Sequence, residues 1–460
     1  MMALPFTPAL LAVVVSFGSI IAAEGAAAPE DHISYLDNGV IRLGVNLDLG
    51  GAITYVSASP SASTPATEAE IGPSRLNIVN SADWGRQIQM SFYSGPTPFA
   101  PNGKQPNKAW TFLGWNPIQS GDVAHHRSQV IEHSNDGKTI HVKCIPMQWP
   151  LDNEPGECTF ESWITLDGNT AHVRSRLNNN RSDKTQYGAR SQELPALYTN
   201  GPWWKLMTYK GDKPFTGDAL EQMPAKMPWT GWQATENWAA LVNDDGSGLG
   251  IWEPGTYQFL GGFAGKPGKG GPKDGPTGYI APLHTDILDH NIIYDYQYTL
   301  IVGNLEEIRR YVYEHASRST PPTWRFEHDR QHWSYQNASD TGWPIEGELK
   351  MVMEKDDPQM IGPLGFWSAA DAPTLTIEAA YHADPGRAEV FWQRTDAGFG
   401  AARVVSFDAI PDGQYHRYVV NLAASPEYRG IITRLRFDPV PSGKPGEFVR
   451  IKSISLGGPR

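Results

Sequence analysis

The chain has 460 residues, with 38 Lys and Arg against 50 Asp and Glu, a formal net charge of −12 at pH 7. The acidic balance, without any basic block, argues against a nucleic-acid partner, because phosphate contacts need clustered Lys and Arg. A mean hydropathy of −0.42 excludes a polytopic membrane protein, and 40% hydrophobic residues are enough for a core.

Residues Ala9–Ala23, ALLAVVVSFGSIIAA, are too short an apolar run to span a bilayer. They read as the apolar part of a secretory signal, followed by small residues up to Ala28. Residues 1–28 are therefore expected to be an export signal, and the mature chain is expected to be secreted or periplasmic, with no membrane span. Export permits disulfides, so Cys144 and Cys158 are read as a disulfide pair across a proline-rich loop.

From Ile33 onward the pattern is short alternating runs broken by Gly, Asn, Asp and Pro. VIRLGVNL, RQIQMSFY, TIHVKCIPM, CTFESWITL, TAHVRSRL and WAALV are typical, and they predict antiparallel β-structure. The turn NDDGSG at Asn243–Gly248 reads as an ordinary hairpin. A glycine-rich stretch, Gly261–Gly278, is either a lid over a cleft or a surface loop; it lacks the GxxxxGK[ST] pattern of a phosphate-binding loop. The one clear helical period is Leu305–His315, with Leu305, Ile308 and Val312 on one face. Pro321 and Pro322 close that unit. Evenly spaced strands then restart the pattern, among them TLTIEAAYH, AEVFWQR, HRYVVNL and ITRLRFDPV. His328 and His332, in HDRQH, lack the glutamate of HExxH and read as two surface histidines.

Three passages, LGGAITYV at Leu49–Val56, WAALVNDDGSGLGIW at Trp238–Trp252 and LDHNIIYDYQYTLIVG at Leu288–Gly303, resemble the galactose-mutarotase-like β-supersandwich of carbohydrate-active proteins. AEVFWQR, QYHRYVVNL, ITRLRFDPV and IKSISL resemble the galactose-binding-like jelly roll used as a carbohydrate-binding module. The resemblances imply an all-β chain, with a supersandwich over residues 29–318, a linker and the first part of a second unit over 319–345, and a jelly roll over 346–460. They imply a polysaccharide or oligosaccharide as partner and allow a structural calcium in the second unit; no cofactor is expected. Nothing in the sequence calls for an obligate oligomer, so a monomer is expected.

Fold does not fix the reaction. Glycoside hydrolysis needs two carboxyl groups across a sugar, one protonated and one ionised. Glu193, among Leu194, Pro195 and Tyr198, and Glu236, between Trp232 and Trp238, form the first pair, with Glu253 and Asp286 in reserve. Elimination would instead use Arg86 with Asn116 to neutralise a uronate, and Tyr93, Tyr198 or His126 as base. Trp115, Asn116, Gln89, Trp203, Trp232 and His284 are expected to bind sugar. No metal ligand set is legible. A polysaccharide-cleaving enzyme, hydrolase before lyase, is thus expected, with a non-catalytic glycan-binding protein as the other class.

Overall fold

The computed structural model describes residues 32–59, 76–317, 321–384 and 386–457. The expected signal segment lies outside the described residues. No helix among them is long and apolar enough to cross a membrane.

The chain is all-β, built from antiparallel sheets. Its first part pairs a nine-stranded sheet with a seven-stranded one, and a three-stranded sheet (Ile33–Asp37, Ile41–Asn46, Ala52–Ala58) adds to one side. The seven-stranded sheet runs Thr230–Gln233, Gln258–Ala264, Thr277–Asp286, Arg190–Asn200, Gln89–Ser91, Pro117–Ile118, Met147–Gln148. Alternation decides what each strand buries. Met90 and Phe92, Leu194 and Leu197, Phe259, and Ile280 face the nine-stranded sheet, where they meet Val142, Phe160, Ile164, Leu177, Tyr298 and Leu300 in one core. The opposite face, carrying Ala196, Leu260, Tyr279, Ala281 and Leu283, is left to form a second, shallower cluster with Trp229.

The single α-helix among the described residues spans Leu305–His315, as the period predicts. Asn304 caps it, accepting from Glu307 N while the Glu307 carboxylate accepts from Asn304 N. Ile308 and Val312 pack on Trp238, Val242, Trp252 and Ile301 on the outer side of the nine-stranded sheet. Gly250 makes that approach possible: a Cβ there would sit 2.6 Å from Ile308 Cγ2.

A second sandwich follows, of two six-stranded sheets around its own core of Trp333, Met351, Ile377, Trp392, Leu435 and Ile451. It is fastened to the first by buried charge. Arg330 reaches Asp289 at 2.6 Å and Asp340 at 2.5 Å, and the Gln186 amide donates to both of those carboxylates. Asn291 donates to Trp343 O and Gln233 to Gly365 O.

The glycine-rich stretch is no lid. Its first residues belong to the Gln258–Ala264 strand, and the rest is tied down by Ser81 N to Pro272 O, Asn80 Nδ2 to Asp274 O, Arg86 Nη1 to Gly275 O and Gly268 N to Gly201 O. The disulfide expectation is also corrected. Cys144 and Cys158 are free and buried. Cys144 stands opposite Phe160, so Cys158 is its diagonal neighbour, two positions along. Diagonal side chains across a ladder lie about 7 Å apart, whereas a disulfide needs Cβ atoms about 3.8 Å apart.

Candidate functional site

The outward face of the seven-stranded sheet carries a cleft of about 300 Å³. Its floor is built from side chains two residues apart on neighbouring strands. Gln89, Ser91 and Tyr93 come from one strand and its exit, Glu193, Ala196 and Tyr198 from the next, Tyr279 from the third. Glu193 and Ala196 differ by three residues, so a plain strand would point them to opposite faces. A β-bulge reconciles them: Glu193 pairs with Leu283 and Ser91, but Leu197 pairs with Ile280 and Ala196 with Gln89, one residue out of step. The extra residue turns Glu193 onto the Ala196–Tyr198 face.

Glu193 is half-buried in this floor. Burial pushes its carboxyl above the usual range, while the hydroxyls of Tyr279 and Tyr93 act in the opposite sense. Tyr93, Tyr198 and Tyr279 are all held well above the ordinary phenol value, first by burial and then by the Glu193 charge. These hydroxyls are therefore protonated at neutral pH, and the cluster is a set of proton donors around one carboxyl. Ser91 Oγ donates to Tyr93 OH at 2.9 Å. The Gln192 side chain clamps the two strands, accepting from Tyr93 N at 2.7 Å and donating to Tyr93 O at 2.9 Å.

Aromatic walls stand on either side. Tyr198 and Tyr279 rings lie 4.7 Å apart and Trp229 packs 5.0 Å from Tyr279. Across the cleft, half-exposed Trp110 and Trp149 meet edge to face at 5.9 Å. Asp83 opens onto the same space, its carboxylate 2.8 Å from Arg86 Nε. Past Glu193 the cleft continues into a space of about 560 Å³ between the sandwiches, lined by Tyr93, Arg190 and Glu193 on one side and Tyr335, Gln336 and Arg434 on the other. Among the described residues neither Arg190 nor Arg434 has a carboxylate partner; Arg190 donates to the carbonyls of Ser94, Phe112 and Leu113, and Arg434 to that of Gly362. Burial lowers both guanidinium groups, Arg434 to about 10.

Glu193, Arg86, Tyr93, Tyr198, Gln89 and Asn116 thus share one cleft. Three of them are already engaged: Gln89 donates to Trp84 O and accepts from Ser120 N, Arg86 binds Asp83 and Gly275 O, and Asn116 donates to Phe92 O. Glu236 is elsewhere. It is fully buried, accepting from Phe215 N, Trp238 Nε1, Arg309 Nη2 and Tyr313 OH, so it holds the helix and a loop to the sheet instead of opposing Glu193. Trp115, Trp203 and Trp232 are corrected likewise. Each faces the core of the first sandwich, at 0%, 2% and 8% exposure, because each sits on the inward register of its segment. Trp204, next to Trp203, points outward but lies over Lys205, away from the cleft. His126 binds Asp122 at 3.0 Å outside the cleft, whereas His125 stands at its rim against Trp84.

His284 lies in a different cluster, with Asp286 and His332, between the two sandwiches. His332 is exposed at the surface, as the sequence reading has it, but it is not without a partner: its Nδ1 lies 3.0 Å from Asp286 Oδ1. Residues to which the sequence reading gave no role are Tyr279, Trp149 and Arg434, together with Asp83 and Trp110, which it placed only at the ends of candidate polar and aromatic clusters. For Tyr279 the signal was present, since GYIAPL places Tyr279, Ala281 and Leu283 on one face.

No protein-family model matches the chain, and no curated protein does. Solved structures do. A galactose mutarotase-like protein from Lactobacillus casei is 9% identical, over 59% of this chain and 99% of that one, at a TM-score of 0.35. A galactose mutarotase related enzyme from Lactobacillus acidophilus is 14% identical, over 59% and 97%, at 0.32. A GH36 alpha-galactosidase from Geobacillus stearothermophilus is 8% identical, over 60% and 41%, at 0.35. Likenesses this distant bear on neither the site nor the reaction.

Proposed function

We propose that the chain is a carbohydrate-active enzyme that cleaves a glycan in the cleft over the seven-stranded sheet, with Glu193 as the acid–base residue. The observation that carries this reading is the bulge-directed placement of one half-buried carboxyl, raised toward its protonated form, between aromatic walls. A carboxyl so held donates its proton to a glycosidic oxygen, and sugar rings stack on Trp110 and Trp149. Hydrolysis then needs an ionised carboxylate on the other side of the sugar. Asp83, ion-paired with Arg86 in the same cleft, takes the place that the sequence reading gave to Glu236.

Elimination is the second reading, and a specific observation favours it. Arg190 and Arg434, without carboxylate partners, line the extension of the cleft beside Tyr93 and Glu193, an arrangement suited to a uronate. The deciding experiment is a polysaccharide panel with the purified mature chain, reading new reducing ends and unsaturated-uronate absorbance together. Reducing ends alone support hydrolysis; absorbance as well supports elimination. Either signal should vanish in Glu193→Gln. Retention of full activity in that variant removes Glu193 from the chemistry, and silence on every glycan leaves binding as the function.

A further inference from the structure

A second cluster of donors lies at the junction of the two sandwiches. His284 and Asp286 project from the end of the Thr277–Asp286 strand, and His332 comes across from the second sandwich. One ligand atom from each lies within 4.8 Å of the others. Glu253 lies beside them, its Oε1 3.6 Å from His284 Nε2. It is 3% exposed, and its Oε2 has no hydrogen-bond partner. Two buried carboxylates therefore face two imidazoles, with no Lys or Arg paired to either acid among the described residues.

The loop that delivers His332 is held in an unusual conformation. Gln331 and His332 are consecutive non-glycine residues with φ of 49° and 60°, a left-handed region that side chains other than glycine seldom adopt. The loop is fixed on one side by Arg330, bonded to Asp289 and Asp340, and on the other by Trp333 in the second core. Tyr294 OH donates to Asp286 Oδ2 at 2.6 Å, an outer contact that orients the carboxylate.

We propose that His284, Asp286 and His332 bind one divalent transition-metal ion, with zinc the best fit, and that Glu253 stands beside the set as an outer carboxylate against His284. Two imidazoles and one carboxylate are donor types zinc takes, at about 2.0–2.2 Å in a tetrahedron with a fourth position left open, which sets neighbouring ligand atoms about 3.3 Å apart. The His332 to Asp286 spacing of 3.0 Å is close to that value, and the three ligand atoms all lie within 4.8 Å of one another. Calcium, which prefers six to eight oxygens, is a poor match to a set made mostly of nitrogen. The ion ties the first sandwich to the second, beside a space of about 210 Å³ lined by His284, His332 and Arg434 that adjoins the cleft's extension through Gln258, Leu283 and Thr285. Its role is to set the geometry of that junction, and it does not depend on which reaction the cleft performs.

The test uses the full mature chain, stripped with chelator and titrated with zinc alone, then with manganese and calcium alone. Bound metal is counted by elemental analysis after dialysis, and thermal midpoints are read with and without zinc. The expected result is one zinc per chain, a raised midpoint, weaker binding of manganese and no effect of calcium. His332→Ala, and separately the better-tolerated His332→Gln, should each weaken zinc binding at least tenfold and remove the zinc-dependent rise. His126→Ala, at the Asp122–His126–Asp152 cluster, serves as the control and should bind as the unaltered chain does. No zinc retained by the unaltered chain, zinc lost in His126→Ala, or zinc kept at full affinity in both His332 variants would each overturn the proposal.

Discussion

Replacing Glu236 separates a structural carboxylate from a catalytic one. The side chain is fully buried and receives four hydrogen bonds, from Phe215 N at 2.9 Å, Trp238 Nε1 at 3.0 Å, Arg309 Nη2 at 3.0 Å and Tyr313 OH at 2.6 Å. Arg309 is itself only 15% exposed, although it keeps a bond to Asp218 O. Glu236→Ala leaves a guanidinium, a hydroxyl, an indole N–H and a backbone N–H without their acceptor. Breaking a buried pair in this way costs about 3–5 kcal/mol. Glu236→Gln keeps the shape and one acceptor oxygen but loses the charge, and should cost about 1.5–3 kcal/mol, the worth of a hydrogen bond to a charged group. At about 2 °C per kcal/mol for a unit of this size, the alanine variant melts roughly 6–10 °C lower. Urea unfolding followed by tryptophan fluorescence reads the loss, because Trp238 is bonded to the carboxylate and should report the first sandwich. A double-mutant cycle with Arg309→Met isolates the pair. The folded fraction of Glu236→Gln should retain glycan-cleaving activity within a few-fold. A variant as stable as the unaltered chain that has lost activity a hundredfold or more would refute the structural assignment and restore Glu236 to the chemistry.

Glu193→Gln should show the opposite signature, a loss of about 10²–10⁴ in kcat without loss of stability. Because burial raises the Glu193 pKa, the fold favours the protonated carboxyl; that contribution is complete below the unfolded pKa and fades as pH rises through the folded one. At neutral pH the glutamine variant should therefore melt at or above the unaltered chain, the difference closing in acid, and a variant less stable at every pH would contradict this. Trp149→Ala should raise KM about two- to tenfold with little change in kcat, the worth of one aromatic contact, and a fall in kcat alone would argue against sugar stacking. Cys144 and Cys158 are buried, and burial pushes the Cys144 thiol up to about 12. Neither should react with a thiol reagent in the native chain, both should react after unfolding without reductant, and silence there would reveal a disulfide.

What the sequence disclosed depended on whether the decisive partner lay nearby in the chain. The helix at Leu305–His315 was legible because its period, its Asn304 cap and its Glu307 all sit within one short segment. Tyr93, Glu193 and Tyr198 were legible by residue type, as polar groups near turns in apolar company. Trp115, Trp203 and Trp232 misled for the same reason: a tryptophan beside Gly or Pro looks like a sugar platform, and only its register on the strand shows that it faces the core. The partners of His332 were illegible, since Asp286 and His284 come from a strand of the other sandwich.

The bulge in the Arg190–Asn200 strand is where sequence and site diverge most usefully. Uninterrupted alternation would set Glu193 on the face of Leu197 and Thr199, inside the core, and Tyr198 on the other, so the strand would bury a carboxylate where no cation waits for it. One extra residue between Glu193 and Leu197 removes that conflict and creates the site in the same step: Leu194 and Leu197 both remain in the core, while Glu193, Ala196 and Tyr198 all reach the cleft. The cost falls on the ladder, whose pairing breaks between Glu193 and Leu197. It is offset by the Gln192 side chain, which bonds Tyr93 N, Tyr93 O and Arg190 O across the break and fixes the neighbouring strand's exit where Tyr93 enters the cleft. Pro195, which has no N–H for the ladder, sits inside the bulge, and the pairing of that irregular backbone with a displaced half-buried acid is the observation from which the proposed role of Glu193 is argued.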